Sequence, residues 1–110
     1  MMLQEKLKQV QDALTKIGPS VYHYWRPKMQ APFIVWAEAS EDGCCNADGI
    51  KIEQEVRGTV DYYTLLEFDP VFDQIQASLN GLVSTAWELA DVQYEEDTGL
   101  IHYSWDFWVM

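Results

Sequence analysis

The N-terminal segment carries apolar side chains at helical spacing. One stripe recurs at steps of four, three, four and three residues: Leu3, Leu7, Val10, Leu14 and Ile17. These positions share one face of a helix, so the pattern predicts an amphipathic helix that ends at Gly18-Pro19, because proline cannot continue it. A coiled-coil seam has similar spacing, but barely two heptads favour packing on a sheet.

Strand-like patterns occupy most of the remaining chain. Residues 33–39 are rich in strand formers, and the long segment of residues 50–65 contains an alternating stretch at residues 56–63. Residues 87–94 are again extended, and residues 96–99 read as a turn. The last segment alternates throughout, with one face entirely apolar: Ile101, Tyr103, Trp105, Phe107 and Val109.

A second helix follows Asp69-Pro70, which supplies an N-cap residue and then a proline at the first helical position. Its apolar face comprises Phe72, Ile75, Leu79 and Leu82. The order of elements is therefore α-β-β-α-β-β. This order predicts one α+β domain over residues 1–110, with an antiparallel sheet of four strands, or slightly more, and both helices on one face.

Composition and charge narrow the classes of function. The chain of 110 residues is 48% apolar, enough for a single core. Eighteen acidic residues against seven Lys and Arg give a net charge of −11, whereas nucleic-acid binders need a basic surface. No apolar run approaches the roughly 20 residues of a membrane span, and no leader opens the chain. We therefore expect no specific nucleic-acid binding, no membrane insertion, and synthesis in the cytoplasm.

Residues 41–53, EDGCCNADGIKIE, are the most chemically suggestive run. Read from Cys44, the run partly fits a calcium loop, but a thiol stands where that loop needs an oxygen ligand. A Cys44-Cys45 disulfide would be strained, and zinc would need further ligands from His23 and His102, whose positions do not point to the cysteines. We interpret the run as a connecting loop, with no metal and no cofactor.

The carboxylates Glu95, Glu96 and Asp97 raise the question of acid–base catalysis. Consecutive residues of a strand or turn point in different directions, so a solvated turn is the better interpretation. No nucleophile elbow, P-loop or Gly-rich dinucleotide turn occurs in the sequence. We therefore predict that the protein is not an enzyme.

Surplus aromatic residues are the remaining feature. The helices would cover one face of the sheet, and large apolar groups on the other face would be costly to leave in water. The sequence thus predicts an interface, and the candidates are Trp25, Trp36, Tyr63 and Trp108. The alternative is scattered surface aromatics, which are normal.

Several strings resemble the small tail-terminator, or tail-completion, proteins of long-tailed bacteriophages and prophages of Gram-positive bacteria. They are APFIVW at residues 31–36, NAD at 46–48, GTVDYYT at 58–64 followed by Asp69-Pro70, and VQYEEDTGLIHY at 92–103. In such proteins the first string opens a strand after a loop, the second enters the long strand, and the last forms the terminal hairpin.

The resemblance implies a ring, typically a hexamer, that caps the finished tail tube and offers a surface to the head-completion connector. The expected partners are copies of the chain itself, the tail-tube protein and the connector, in the virion tail and, during assembly, in the host cytoplasm. The carboxylates within residues 41–48 and those of the turn, Glu95, Glu96 and Asp97, are candidates to line the lumen, where they would repel DNA. Two alternatives remain open: another head–tail joining or minor tail protein, and a small binding module with an aromatic sheet face.

Overall fold

The chain folds into two helices and one open five-stranded sheet. The structure is a computed structural model that describes residues 2–28, 30–47 and 50–110. The side chains of residues 42–53 are not among the parts described. The elements are α1 (Leu3–Thr15), β1 (Ser20–His23), β2 (Phe33–Ala47), β3 (Ile50–Thr64), α2 (Val71–Asn80), β4 (Thr85–Glu95) and β5 (Leu100–Val109). The α+β class is confirmed.

The sheet has the strand order β1-β2-β3-β5-β4 and is mixed, not purely antiparallel. Strand β1 pairs in parallel with β2, in a register that places Val21 opposite Ile34, and the other neighbours pair antiparallel. The prediction of a four-stranded antiparallel sheet therefore needs one correction: a fifth strand, β1, lies at the edge and is parallel to its neighbour. Four residues carry too little alternation to reveal a strand, and the direction of its partner depends on the loop that follows.

The cysteine pair lies in a strand, and the prediction of a connecting loop is wrong at that point. Strand β2 continues to Ala47, with Cys44 opposite Gln54 and Cys45 opposite Glu53. The register shifts between Glu38 and Asn46 explain why the stretch lacks clean alternation. The question of a metal or a reactive thiol concerns side chains that lie outside the described residues, as do Asp48 and Gly49.

The main core lies between the helices and one face of the sheet. The predicted stripes provide it, because Val10, Leu14, Ile75 and Leu79 are buried in one cluster with Trp105, Phe107 and Val109 of β5. Leu7, Phe72 and Tyr103, which the spacing also assigns to the core, are partly buried against the same cluster. The core prediction is confirmed, since period 3.6 and period 2 each bring one face of an element together.

A buried carboxylate joins β3 to the start of α2. Asp69 Oδ1 accepts a hydrogen bond from the Val71 N–H at 2.9 Å, and Oδ2 accepts from Tyr62 Oη at 2.6 Å and Thr64 Oγ1 at 2.7 Å. Pro70 already has helical dihedral angles, so Asp69 acts as the N-cap that the sequence predicts. The same three bonds fix the entry of the helix relative to the sheet.

The Asp69 carboxylate makes the free energy of unfolding depend on pH. Burial alone raises the pKa of Asp69, but the bonds from Tyr62, Val71 and Thr64 outweigh burial and hold that pKa below its ordinary value. The resulting stability is present above the unfolded-state pKa of about 4 and is lost as pH falls through the lower, folded-state pKa. We therefore expect the urea midpoint of wild type to exceed that of Asp69→Asn at about pH 7. The two midpoints should approach each other as the pH is lowered to about 2. A gap of constant size would contradict the assignment.

Candidate functional site

The four aromatic residues predicted at an interface divide into two pairs. Trp25 is 60% exposed and Trp108 is half-buried, so both reach the surface of the single chain. Trp36 is buried in the main core, and Tyr63 is buried on the opposite face of the sheet. The prediction of an accessible surface is therefore wrong for Trp36 and Tyr63, because other parts of the same chain cover them.

Tyr63 belongs to a second, smaller cluster on the face away from the helices. This cluster contains Phe33, Val35, Tyr63 and Leu100. The segment after β1 folds across it, and the Arg26 guanidinium carbon lies 4.4 Å from the centroid of the Tyr63 ring. His102 stacks on Tyr63 with ring centroids 4.2 Å apart and contacts Asp61 through Nε2 at 2.8 Å. The part of the second face around Tyr63 is thus covered by polar and aromatic groups of the same chain.

The acidic turn separates into one paired and two solvated carboxylates. Glu95 Oε1 lies 3.2 Å from Arg26 Nη2, and the hydrogen bond from Arg26 holds the pKa of Glu95 below its ordinary value. Glu96 and Asp97 are exposed. The turn closes through the Gly99 N–H, which donates to Glu95 O at 2.8 Å, and Gly99 has a φ of +73° that suits glycine. The predicted turn is confirmed.

A polar–aromatic cluster beside α1 has no sequence motif. The His23 ring lies between Tyr24 and Trp36, with centroid distances of 3.8 and 4.0 Å. Glu38 accepts from Tyr24 Oη and contacts His23 Nε2 at 2.7 Å. Tyr24 reaches this position through a φ of +80°, which turns its side chain toward the preceding residue. Only the parallel register of β1 on β2 brings these residues together, and no local pattern encodes that register.

The charges of this cluster follow from its hydrogen bonds. Burial alone raises the pKa of Glu38, but the bonds from Tyr24 and His23 outweigh burial and hold that pKa below its ordinary value. The bond to Glu38 raises the pKa of Tyr24. Because a carboxylate oxygen can only accept, His23 Nε2 is the donor in its contact with Glu38. An open groove of about 390 Å³ beside it is lined by Gln4, Leu7, Lys8, Gln11, His23, Trp36 and Glu38.

The opposite end of the sheet exposes apolar side chains. Strand β4 pairs with β5 and occupies the edge of the strand order. Leu89, Val92 and Tyr94 of β4 are exposed, and Tyr94 is 65% exposed. A groove joins this strand to the segment after β3 and is lined by Leu65, Glu67, Val92, Gln93, Tyr94, Gly99 and Ile101. This arrangement can bury an apolar partner surface beside carboxylates.

No protein-family model matches the chain, and no curated protein matches it in sequence. Among the side chains that the structure describes, those of residues 2–28, 30–41 and 54–110, no three or more His, Cys, Asp or Glu are grouped so that they could hold a metal ion. The helices in these ranges are too short or too polar to cross a membrane.

Proposed function

We propose that this chain is a structural subunit of a bacteriophage tail: a terminator that forms a hexameric ring, caps the tail tube and joins it to the head connector. The strings that resemble tail terminators support the proposal through their places in the fold. Residues 33–36 open β2 after a loop, and residues 92–103 form most of the terminal hairpin of β4 and β5. Both placements agree with what the resemblance implies.

The observation that carries the proposal is the apolar surface at the margins of a small open sheet. Trp25 after β1, Phe68 after β3 and Tyr94 on β4 are each at least 60% exposed, and Phe68 reaches 89%. Scattered single residues would be normal, but the β4 groove is continuous, and continuous apolar surface usually marks an interface. A ring subunit needs two such surfaces, because each cyclic contact joins two different patches.

The solvated part of the acidic turn has a role in this proposal. Glu96 and Asp97 are the candidates to line the lumen, since Glu95 is held by Arg26. Their charge would repel DNA phosphates and keep the passage free of tight contacts. The covered Tyr63 is not a candidate for a contact with tail partners.

A capping experiment tests the proposed function. Native mass spectrometry at micromolar protein should show a ring, alone or on tube tips, and the chain should stop elongation when added to the polymerising tail-tube protein of the same genome. Electron microscopy would then show shorter tubes with a ring at one end. The control is Val92→Asp with Tyr94→Asp, which should stay folded by circular dichroism and lose capping. A wild-type chain that remains monomeric and leaves tube length unchanged would refute the proposal.

One observation favours a second candidate, a small binding module. The groove beside His23 has a volume within the range of small-molecule sites and is lined by the His23 imidazole, the Trp36 indole and the Glu38 carboxylate. A binding module would stay monomeric in the same mass measurement and would have no effect on tube growth. The capping experiment therefore separates the two functions.

A further inference from the structure

The β4 groove lies on a part of the sheet face that the helices leave open. Val92 lies opposite Tyr103 and Tyr94 opposite Ile101, so these four side chains share one face of the hairpin. Helix α2 covers this face as far as Tyr103, whose ring centroid lies 4.8 Å from that of Phe72. Beyond that contact Val92 is 51% and Tyr94 is 65% exposed, so this part of the face remains open to solvent.

The segment after β3 forms the other wall of the groove. Leu65 and Glu67 line it, and Leu65, Leu66 and Phe68 are each more than half exposed. Phe68 has a φ of +58°, which is uncommon for a residue with a side chain, and it precedes the buried Asp69 carboxylate that fixes the entry of α2. The fold therefore holds an apolar segment in solvent beside an open volume of about 580 Å³.

The charges beside the groove are negative. Glu67 lines the groove, and the turn that carries Glu96 and Asp97 ends at Gly99, which lines it as well. All three carboxylates are exposed. Electrostatic complementarity across an interface pairs a negative patch with a positive one. An apolar groove with carboxylates beside it therefore fits a partner that brings both apolar side chains and cations.

The basic residues of this chain are few and partly engaged. At least three of the seven Lys and Arg already contact groups of their own chain: Lys6, Arg26 and Arg57. Arg26 and Lys28 line a hollow that is distinct from the groove, although Leu65 borders both. A second copy would also bring eighteen acidic residues. A protein of different sequence is therefore the better source of the cations.

We infer that the β4 groove binds a segment of another protein in which Lys or Arg stands next to apolar side chains. The apolar side chains of that segment pack on Leu65, Val92 and Tyr94, and its cations lie beside Glu67. The inference rests on the proposed function for the identity of the partner. In a tail terminator that partner is the tail-tube protein, so the groove is the surface that binds the tube.

Two short peptides test the chemistry of the partner. One alternates leucine with lysine, and the other has glutamate in place of each lysine. Titration of the chain, labelled at its Leu, Val and Ile methyl groups and followed by NMR, should shift the signals of Leu65, Val92 and Ile101 with the lysine peptide. The glutamate peptide should bind at least about tenfold more weakly, because like charges repel each other.

Substitutions in the groove locate the binding. Glu67→Lys reverses the charge in the wall, and Val92→Ser with Tyr94→Ser removes apolar surface without changing the net charge. Each variant should weaken binding of the lysine peptide at least about tenfold. The matched control, Glu88→Lys, makes the same change of charge on β4 but lies opposite Asp106, on the other face of the sheet, and should bind as wild type does. All four substituted residues are exposed, so circular dichroism should be unchanged.

Capping of tail tubes separates this inference from the proposed function. Glu67→Lys should keep its rings in native mass spectrometry but need at least about tenfold more protein to cap tubes, whereas Glu88→Lys should match wild type in both. Normal capping by Glu67→Lys and by the serine variant would overturn the inference and leave the terminator standing. A wild-type chain that never caps tubes, yet binds the lysine peptide in the groove, would refute the terminator and support the docking surface.

The peptide titration can also overturn the docking surface by itself. Equal affinity for the two peptides, or signals that shift only elsewhere on the chain, would contradict it. So would signals of Leu65, Val92 and Ile101 that shift when the protein concentration alone is raised, because a second copy would then occupy the groove.

Discussion

Replacing Asp69 with alanine is expected to lower the free energy of unfolding by about 4 kcal/mol. The substitution removes an N-cap, which is worth about 1 kcal/mol, and leaves two buried hydroxyls without their acceptor, at about 1–3 kcal/mol each. Tyr62 is fully buried and Thr64 nearly so, so water cannot easily replace the carboxylate. Urea denaturation followed by far-UV circular dichroism measures the loss.

The neighbouring acid provides the matched control. Asp73 lies in the first turn of the same helix and is exposed. Asp73→Ala removes only a favourable charge near the helix N-terminus, worth about 0.3–1 kcal/mol. If the losses for Asp69→Ala and Asp73→Ala were equal, the buried network would have no special part in stability, and Asp69 would be an ordinary surface acid.

Sequence periodicity predicts the elements that bury one regular face. The stripe of α1 and residues 103, 105, 107 and 109 of β5 belong to the main core or pack against it, as the periods of 3.6 and 2 require. The N-cap at Asp69 was predictable for a related reason: an Asp-Pro pair before an apolar stripe has a local mechanism. Features that depend only on residues close together in the sequence can therefore be predicted from the sequence.

The missed features depend on partners distant in the sequence. Strand β1 becomes visible only through its parallel register with β2, and the cluster of His23, Tyr24 and Glu38 exists only because of that register. Tyr63 has the alternation of an outward residue, yet Arg26 covers it. Exposure on the second face of a sheet depends on where a loop folds back, and no periodicity encodes that.

The close packing around Gly58 also depends on residues that are distant in the sequence. Gly58 lies in the middle of β3, with Glu38 of β2 on one side and Phe107 of β5 on the other. A Cβ at this position would lie 2.5 Å from the Ala37 carbonyl oxygen and 2.7 Å from Phe107 Cε2. Real Cβ atoms do not approach other atoms so closely, so the absence of a side chain allows Phe107 to pack across the strand.

Gly58→Ala is expected to lower the free energy of unfolding by about 3 kcal/mol, at the upper end for an overpacked core. One of the two clashes involves backbone, which cannot move without breaking the pairing of β2 with β3. For the same reason, trimming the ring with Phe107→Leu should not restore stability. Gly58→Val adds two more carbons at this site and should cost about 5 kcal/mol, enough to unfold a small domain of ordinary stability.

The matched control for Gly58 is the glycine that ends α2. A Cβ at Gly81 would have no neighbour closer than 3.6 Å, and its φ of −86° suits any residue. Gly81→Ala should therefore be neutral or stabilising by up to about 1 kcal/mol, since alanine restricts the unfolded chain. Urea midpoints of the two alanine variants decide the matter. A Gly58→Ala midpoint as high as that of Gly81→Ala would show that β3 and Phe107 can separate without cost, and the packing described for this strand would be wrong.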